Sequence, residues 1–191
     1  MRRLLWILGV VVLTVVVVVG VRQAGGSDSD TLPALSLSDM QQQLRGAPPA
    51  LASLYAQPNE LLDGGKTAFK ERLAKLEGHP LVVNKWASWC QPCRAEFPIF
   101  ERQAAKRGKD IGFLAVNGKD KAPAAKRFLN EYPLPYPSYE DPHEAIATEL
   151  NVPTFYPMTL FLDAKGRTRY IHPGVYKTED DLAADIDRYL K

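Results

Sequence analysis

The chain contains two cysteines, Cys90 and Cys93, which lie in the stretch WASWCQPCRAEFP, residues 86–98. Thiols at this spacing can hold a metal ion, form a structural disulfide or exchange electrons with other thiols. Zinc usually takes four protein ligands, of which one such pair supplies only two. The histidines that would have to complete a site are scattered without ligand spacing: His79, His143 and His172. A structural disulfide closing so short a loop would restrict the unfolded chain little. The pair therefore favours redox chemistry, and no metal is predicted.

The predicted elements place these thiols where a strand ends and a helix begins. The apolar run PLVVNKWA, residues 80–87, predicts a buried strand, and residues 90–107 carry apolar side chains at helical spacing. The free N–H groups and partial positive charge at a helix N-terminus stabilise a thiolate, so cysteines there have pKa values lowered from about 8.5 to roughly 3.5–7.5. We expect Cys90 to be the exposed, attacking sulfur. Cys93, one turn on and facing inward, is expected to resolve the mixed disulfide.

The rest of the pattern predicts an α/β domain. Helical segments alternate with buried strands and are followed by a hairpin around the turn AKG, residues 164–166, and a last helix. This order indicates a central mixed β-sheet flanked by helices. The further predicted helices are 67–78, 121–132, 143–150 and 178–190, and the further strands are 111–117, 158–163 and 167–172.

The N-terminus differs in composition from the rest. The uncharged run Leu4–Val21 would span about 27 Å as a helix, enough to cross the hydrocarbon layer, and the two arginines before it favour export of the downstream chain. Cleavage of a signal peptide after AGG, residues 24–26, is the open alternative. The predicted organisation is a transmembrane signal-anchor at 1–21, a flexible linker at 22–35, a helical N-terminal extension at 36–59 and the main domain at 60–191.

The stretch VNKWASWCQPCRAEFP resembles the active-site segment of the thioredoxin superfamily, and more narrowly that of the exported TlpA/ResA/DsbE-type thiol-disulfide oxidoreductases. The lead-in LEGHPLVVNKW and the downstream segment YPMTLFLDAKGR are similar to segments of the same family, and the resemblance covers residues 61–190. It implies a thioredoxin-like fold over residues 60–191, a redox-active Cys90–Cys93 disulfide and no cofactor.

The resemblance also implies a substrate groove. Matching the downstream segment places the family's cis-proline at Pro157, with Pro153 as the less favoured alternative. A cis bond there would turn the backbone of Tyr156 towards Cys90 and a bound substrate segment. Trp86 and Trp89 are expected to pack and to shape the surface around Cys90, and Trp89 is expected to contact the substrate as well.

Three polar residues near the cysteines complete the expected site. Glu96 matches an acidic residue of the family that exchanges a proton with Cys93, although an acid early in a helix is also favourable through the helix dipole alone. Asn84 replaces the buried aspartate of thioredoxins proper, as is common in the exported branch. Lys85 departs from the family, which usually has an apolar residue at this position. An ammonium group buried in a central strand is costly unless it is paired.

Together these features predict a membrane-anchored extracytoplasmic thiol-disulfide oxidoreductase, with exported proteins that contain cysteine pairs and a membrane electron donor or acceptor as partners. Reduction, for example of apocytochrome c, and oxidative folding of exported proteins are both open directions. A peroxiredoxin-like peroxidase and a copper-binding chaperone using His172 are alternatives from other classes. A net charge of +2 gives no case for nucleic acid as a partner.

Overall fold

The computed structural model describes residues 35–191. The predicted signal-anchor at 1–21, and the predicted linker up to residue 34, lie outside the described residues. Within residues 35–191, no helix is both long and apolar enough to span a membrane.

Seven helices and six strands make up the described part of the chain. In chain order they are α1 (Leu37–Gln43), α2 (Pro49–Tyr55), β1 (Leu61–Leu62), α3 (Gly65–Lys75), β2 (Leu81–Trp86), α4 (Gln91–Arg107), β3 (Gly112–Gly118), α5 (Ala122–Glu131), β4 (Ser138–Asp141), α6 (Ala145–Glu149), β5 (Met158–Leu162), β6 (Thr168–Pro173) and α7 (Glu179–Tyr189).

The strands form one mixed sheet in the order β1-β4-β3-β2-β5-β6. The first four strands in that order pair in parallel, whereas β5 and β6 pair antiparallel. All residues of β2, β3 and β5 are buried, which explains why these strands have apolar sequences. The α/β class and the mixed sheet flanked by helices are confirmed.

Residues 36–59 pack against the same core as the rest of the described chain. Leu51 and Leu54 of α2 are fully buried. The hydroxyl of Tyr55 donates to the Ile111 carbonyl at 2.8 Å and accepts from the Phe113 N–H at 3.2 Å. This pair of hydrogen bonds fastens α2 to the start of β3.

The sheet order positions the cysteine loop. The crossover from β2 through α4 to β3 is parallel, so the chain leaves the carboxyl end of β2 and enters α4 within a few residues. β5 runs beside β2 in the opposite direction, and Met158 at its start is the partner of Lys85 near the end of β2. The segment before β5 therefore lies next to the loop that carries Cys90.

Candidate active site

Cys90 and Cys93 form a disulfide across the first turn of α4, with their Cα atoms 5.4 Å apart. Cys90 is the N-cap of this helix, and its Sγ accepts the N–H of Cys93 at 3.2 Å. The helix therefore directs a backbone donor, together with its partial positive charge, at the sulfur of Cys90. Both interactions favour a thiolate over a thiol at this position.

Both sulfurs lie below the surface in the disulfide form. Cys93 has no exposed area and Cys90 is 3% exposed. The expectation that Cys90 is exposed is therefore wrong for this form. The reason is that its Sγ is bonded to the buried sulfur of Cys93 and accepts a helix N–H, which together turn the side chain back over the helix. Cys90 is still the less buried of the two.

Glu96 lies one turn after Cys93 on α4 and is completely buried. Its Oε1 accepts from the side-chain amide of Asn84 at 2.9 Å, and its Oε2 accepts from the N–H of Tyr176 at 3.2 Å. Burial raises the pKa of Glu96 to about 7, although the hydrogen bonds from Asn84 and Tyr176 partly oppose the rise. A carboxyl group with this pKa can both take up and release a proton near neutral pH.

Asn84 lies on β2, where its amide group reaches Glu96. Its Oδ1 is buried without a hydrogen-bond partner among the described residues. In the observed orientation the Asn84 amide donates to Glu96, which favours the ionised carboxyl and opposes part of the rise in its pKa. The sequence indicated Asn84 as a mark of the exported branch but gave no sign of this unsatisfied oxygen.

The peptide bond between Tyr156 and Pro157 is cis, and residues 35–191 contain no other cis peptide bond. The choice of Pro157 over Pro153 is confirmed. Pro157 directly precedes Met158, the partner of Lys85, and so lies beside the end of β2. The part of these residues in substrate binding remains a prediction.

Aromatic residues precede both Cys90 and Pro157 in the chain. Trp89 is 57% exposed and Phe155 is 53% exposed, whereas Trp86 is fully buried against Phe97. The ring of Trp89 meets that of Tyr156 edge to face at a centroid distance of 5.0 Å. Trp89 also donates from Nε1 to the Lys119 carbonyl at 2.9 Å. Sequence reasoning missed Phe155, although an aromatic residue in a proline-flanked loop before β5 is a usable signal.

The loop between β2 and Cys90 is held by Asp120. Its Oδ2 accepts from the N–H of Ser88 at 2.5 Å and its Oδ1 from the Ser88 hydroxyl at 2.8 Å. Burial alone would raise the pKa of Asp120, but hydrogen bonds from Asn117, Ser88 and Lys121 outweigh this effect and lower it. The ionised carboxylate therefore fixes the chain two residues before Cys90, a role that the sequence did not reveal.

Lys85 is buried, and its ammonium group is paired. Its Nζ lies 2.7 Å from Glu144 Oε1, which also accepts from the Tyr156 hydroxyl at 2.8 Å. Burial would raise the pKa of Glu144, but hydrogen bonds from Lys85, Tyr156 and Lys119 lower it overall, so the carboxylate is ionised at neutral pH. The departure from the family pattern thus meets the condition under which a buried charge is tolerated.

Within residues 35–191, no group of three or more His, Cys, Asp or Glu side chains is arranged to hold a metal ion. His172, the histidine of the copper alternative, stacks on the ring of Tyr176 at a centroid distance of 4.0 Å and faces Asp185 at 3.4 Å.

A family model described as Redoxin matches residues 53–186. Among curated proteins, the chain is 33% identical over 122 residues to the thioredoxin-like protein YneN of Bacillus subtilis. The alignment covers 62% of this chain and 71% of YneN. It is 36% identical over 115 residues to the thiol:disulfide interchange protein DsbE of Pseudomonas fluorescens, covering 58% of this chain and 62% of that protein. The thiol-disulfide oxidoreductase ResA of Geobacillus kaustophilus is 27% identical over 123 residues, covering 64% of this chain and 67% of ResA.

Solved structures show the same relationship. The structure of MTB dsbF in its mixed oxidised and reduced forms is 29% identical with a TM-score of 0.55, covering 60% of this chain and 83% of dsbF. A thiol:disulfide interchange protein DsbE from Chlorobium tepidum is 28% identical with a TM-score of 0.57, covering 62% of this chain and 85% of that chain. The chain therefore belongs to the Redoxin family, among its thioredoxin-fold thiol-disulfide oxidoreductases.

Proposed function

We propose that the chain is a membrane-anchored, extracytoplasmic thiol-disulfide oxidoreductase that reduces cysteine pairs of exported proteins. The observation that carries the proposal is the Cys90–Cys93 disulfide at the start of α4, with the buried carboxyl of Glu96 one turn behind it. This arrangement supplies a sulfur stabilised as a thiolate, a second sulfur within bonding reach and a group that can accept a proton.

In the reductive direction the Cys90 thiolate attacks one sulfur of a substrate disulfide. The substrate S–S bond breaks, a mixed disulfide with Cys90 forms, and the other substrate sulfur leaves as a thiolate that takes up a proton. The Cys93 thiolate then attacks Cys90 Sγ. The mixed disulfide breaks, the second substrate sulfur leaves, and the Cys90–Cys93 disulfide forms again, so two electrons have passed to the substrate. A dithiol donor at the membrane then reduces the pair and is itself oxidised to a disulfide.

In this scheme Glu96 accepts and returns the thiol proton of Cys93. The Cys93 thiol is buried, where burial opposes formation of the thiolate. A carboxylate on the next turn with a pKa of about 7 accepts the thiol proton when Cys93 has to attack and returns it when the pair is reduced. The low polarity of the site makes the transfer between two nearby groups easier than release of the proton to solvent.

We infer that the substrate segment lies across the joint surface of Trp89 and Tyr156, whose rings are in contact, and beside Pro157 before β5. This surface is the substrate groove. Exposure of Trp89 and Phe155 supports this placement, because these are the large apolar side chains left exposed among residues 35–191. Exposed apolar side chains grouped at one place on a folded domain are typical of an interaction site. We therefore infer that substrates are extended polypeptide segments with an apolar residue near the reacting cysteine.

The names of the relatives support thiol-disulfide exchange, since DsbE carries the name thiol:disulfide interchange protein and ResA that of a thiol-disulfide oxidoreductase. The apolar run Leu4–Val21 supports the anchor. We infer that apocytochrome c is among the reduced substrates, as the resemblance of the active-site stretch implies. An oxidase with the same groups would run each step in reverse.

Two measurements on the full-length chain test the proposal. The first is the equilibrium potential of the Cys90–Cys93 couple in glutathione buffers. A value near the about −270 mV of thioredoxin supports reduction, and a value near about −120 mV reassigns the protein to disulfide formation. The second is capture of partners by Cys93→Ala, with Cys90→Ala as the matched control. Mixed disulfides with exported proteins are expected only in Cys93→Ala, and their absence there contradicts thiol exchange.

A further inference from the structure

The buried ammonium of Lys85 makes three contacts with residues in or next to the loop that precedes β5. Its Nζ donates to the Pro153 carbonyl at 2.9 Å, pairs with Glu144 at 2.7 Å and lies 4.2 Å from the centroid of the Tyr156 ring. Pro153 and Tyr156 bracket the loop that precedes β5. Lys85 itself is 1% exposed and belongs to β2, the strand that leads to Cys90. One side chain thus connects the strand that leads to Cys90 with the loop that carries Tyr156.

Glu144 connects Tyr156 to Trp89 through Lys119. Its Oε1 accepts from both Lys85 and the Tyr156 hydroxyl, while its Oε2 pairs with Lys119 at 3.0 Å. The Lys119 carbonyl in turn accepts from Nε1 of Trp89 at 2.9 Å. The contacts therefore close into a ring that contains both aromatic side chains of the groove.

The backbone leaves room for this arrangement at Gly118. A Cβ at this position would collide with the hydroxyl of Tyr156 and would lie 3.4 Å from Cε of Lys85. The end of β3 thus accommodates a tyrosine at 156 together with a lysine at 85. The Tyr156 hydroxyl is held by Glu144 and has room beside Gly118, while Lys85 lies over the Tyr156 ring.

Stability alone does not account for the charged pair. A buried ion pair can often be replaced by apolar residues of similar size at little or no cost in stability. What such a pair provides is direction, because a charged donor and acceptor fix their neighbours at defined positions. At this site the neighbours are Tyr156 and the Pro153 carbonyl.

We propose that Lys85 and Glu144 are positioning residues of the substrate groove. They hold Tyr156 and the loop 153–157 in the place where an extended substrate segment binds beside Cys90, and so they determine affinity for polypeptide substrates. They take no part in the electron transfer. The inference rests on the proposed function, because it takes the surface formed by Trp89 and Tyr156 as the substrate groove.

The test compares two disulfides that use the groove differently. Insulin presents a polypeptide disulfide that needs the groove, whereas hydroxyethyl disulfide is small enough to reach Cys90 without it. In the full-length chain, Lys85→Met is expected to raise the KM for insulin about tenfold, the effect of losing one charge-assisted hydrogen bond, and to leave kcat unchanged. The rate with hydroxyethyl disulfide and the redox potential are expected to stay at the wild-type values.

Two further variants keep the test decisive if Lys85→Met folds poorly. Lys85→Met combined with Glu144→Gln removes both charges, and Tyr156→Phe removes only the hydroxyl that binds Glu144. Each is expected to raise the KM for insulin selectively. Lys70→Met is the matched control, because Lys70 pairs with Glu149 on the surface at 2.8 Å and should change neither rate.

Equal loss with both disulfides, or an unchanged KM for insulin in all three groove variants, overturns the inference. Failure of the wild-type chain to reduce either disulfide overturns the proposed function instead, so the two failures are distinguishable.

Discussion

Glu96→Gln is the perturbation that tests the buried carboxyl most sharply. Glutamine has nearly the same shape and represents the protonated form of the carboxyl. Its carbonyl can accept from the N–H of Tyr176, and its amide can donate to the Asn84 oxygen that now lacks a partner, once the Asn84 amide turns over. The substitution therefore removes the titration while it keeps two hydrogen bonds.

The size of the effect follows from the pKa. A rise from 4.5 to about 7 in the folded chain places a penalty of about 3 kcal/mol on the ionised form, at roughly 1.4 kcal/mol per pH unit. The folded chain binds this proton more tightly than the unfolded chain. The stability associated with the bound proton is therefore fully present below pH 4.5 and is lost as the pH rises through about 7. The substitution removes this loss.

Urea unfolding of the oxidised full-length chain at several values between pH 4.5 and 8 measures the effect. The free energy of unfolding of Glu96→Gln relative to wild type should increase by about 3 kcal/mol across this range. Glu101→Gln is the matched control on the same helix, because burial also raises the pKa of Glu101 to about 7, although Arg102 opposes the rise. Both variants should change the pH dependence of stability. Only Glu96→Gln should slow insulin reduction at neutral pH, by roughly 100-fold for loss of a general base.

If the free energy of unfolding of Glu96→Gln differs from that of wild type by the same amount at every pH, Glu96 titrates in the ordinary carboxyl range. Equal slowing of insulin reduction in Glu96→Gln and Glu101→Gln would show that the proton acceptor for Cys93 is not Glu96. Either result contradicts the assignment of Glu96 as a proton acceptor with a raised pKa.

Substitutions at three other positions have expected outcomes. Gly118→Ala should lower the free energy of unfolding by about 1–3 kcal/mol in a urea titration, because its Cβ collides with the Tyr156 hydroxyl, and an unchanged midpoint would contradict the described packing. Phe155→Ser should raise the KM for insulin without loss of stability, since the ring is 53% exposed, and an unchanged KM would show that Phe155 does not contact the substrate. Asp120→Ala should cost about 1.5–3 kcal/mol through the lost hydrogen bonds to Ser88, whereas Asp120→Asn, which retains an acceptor, should cost less.

The features that the sequence predicted are those encoded within short stretches. The strand and helix around the cysteines follow from periodicity, and the disulfide across one helical turn follows from a spacing of three residues. The cis bond at Pro157 follows from resemblance of the surrounding segment and is confirmed. Each of these depends on residues close together in the chain.

The features that were missed depend on contacts between distant residues or on polar strands. The pairing of Lys85 with Glu144 joins β2 to the residue before α6, which no local pattern reveals. β4 was not predicted because its sequence SYED is polar. Three of its four residues are buried nonetheless, among them Asp141, which accepts the N–H groups of Ile146 and Ala147. The burial of Cys90 was missed because it depends on the direction of one side chain in the disulfide form.

The attacking role of Cys90 is tested most directly by the pH dependence of alkylation of the reduced full-length chain by iodoacetamide, with the modified cysteine identified by mass spectrometry. We expect Cys90 to be modified first, with a midpoint between roughly pH 3.5 and 7.5, as for cysteines at helix N-termini. First modification at Cys93, or a midpoint near the about 8.5 of a free thiol, would contradict this role.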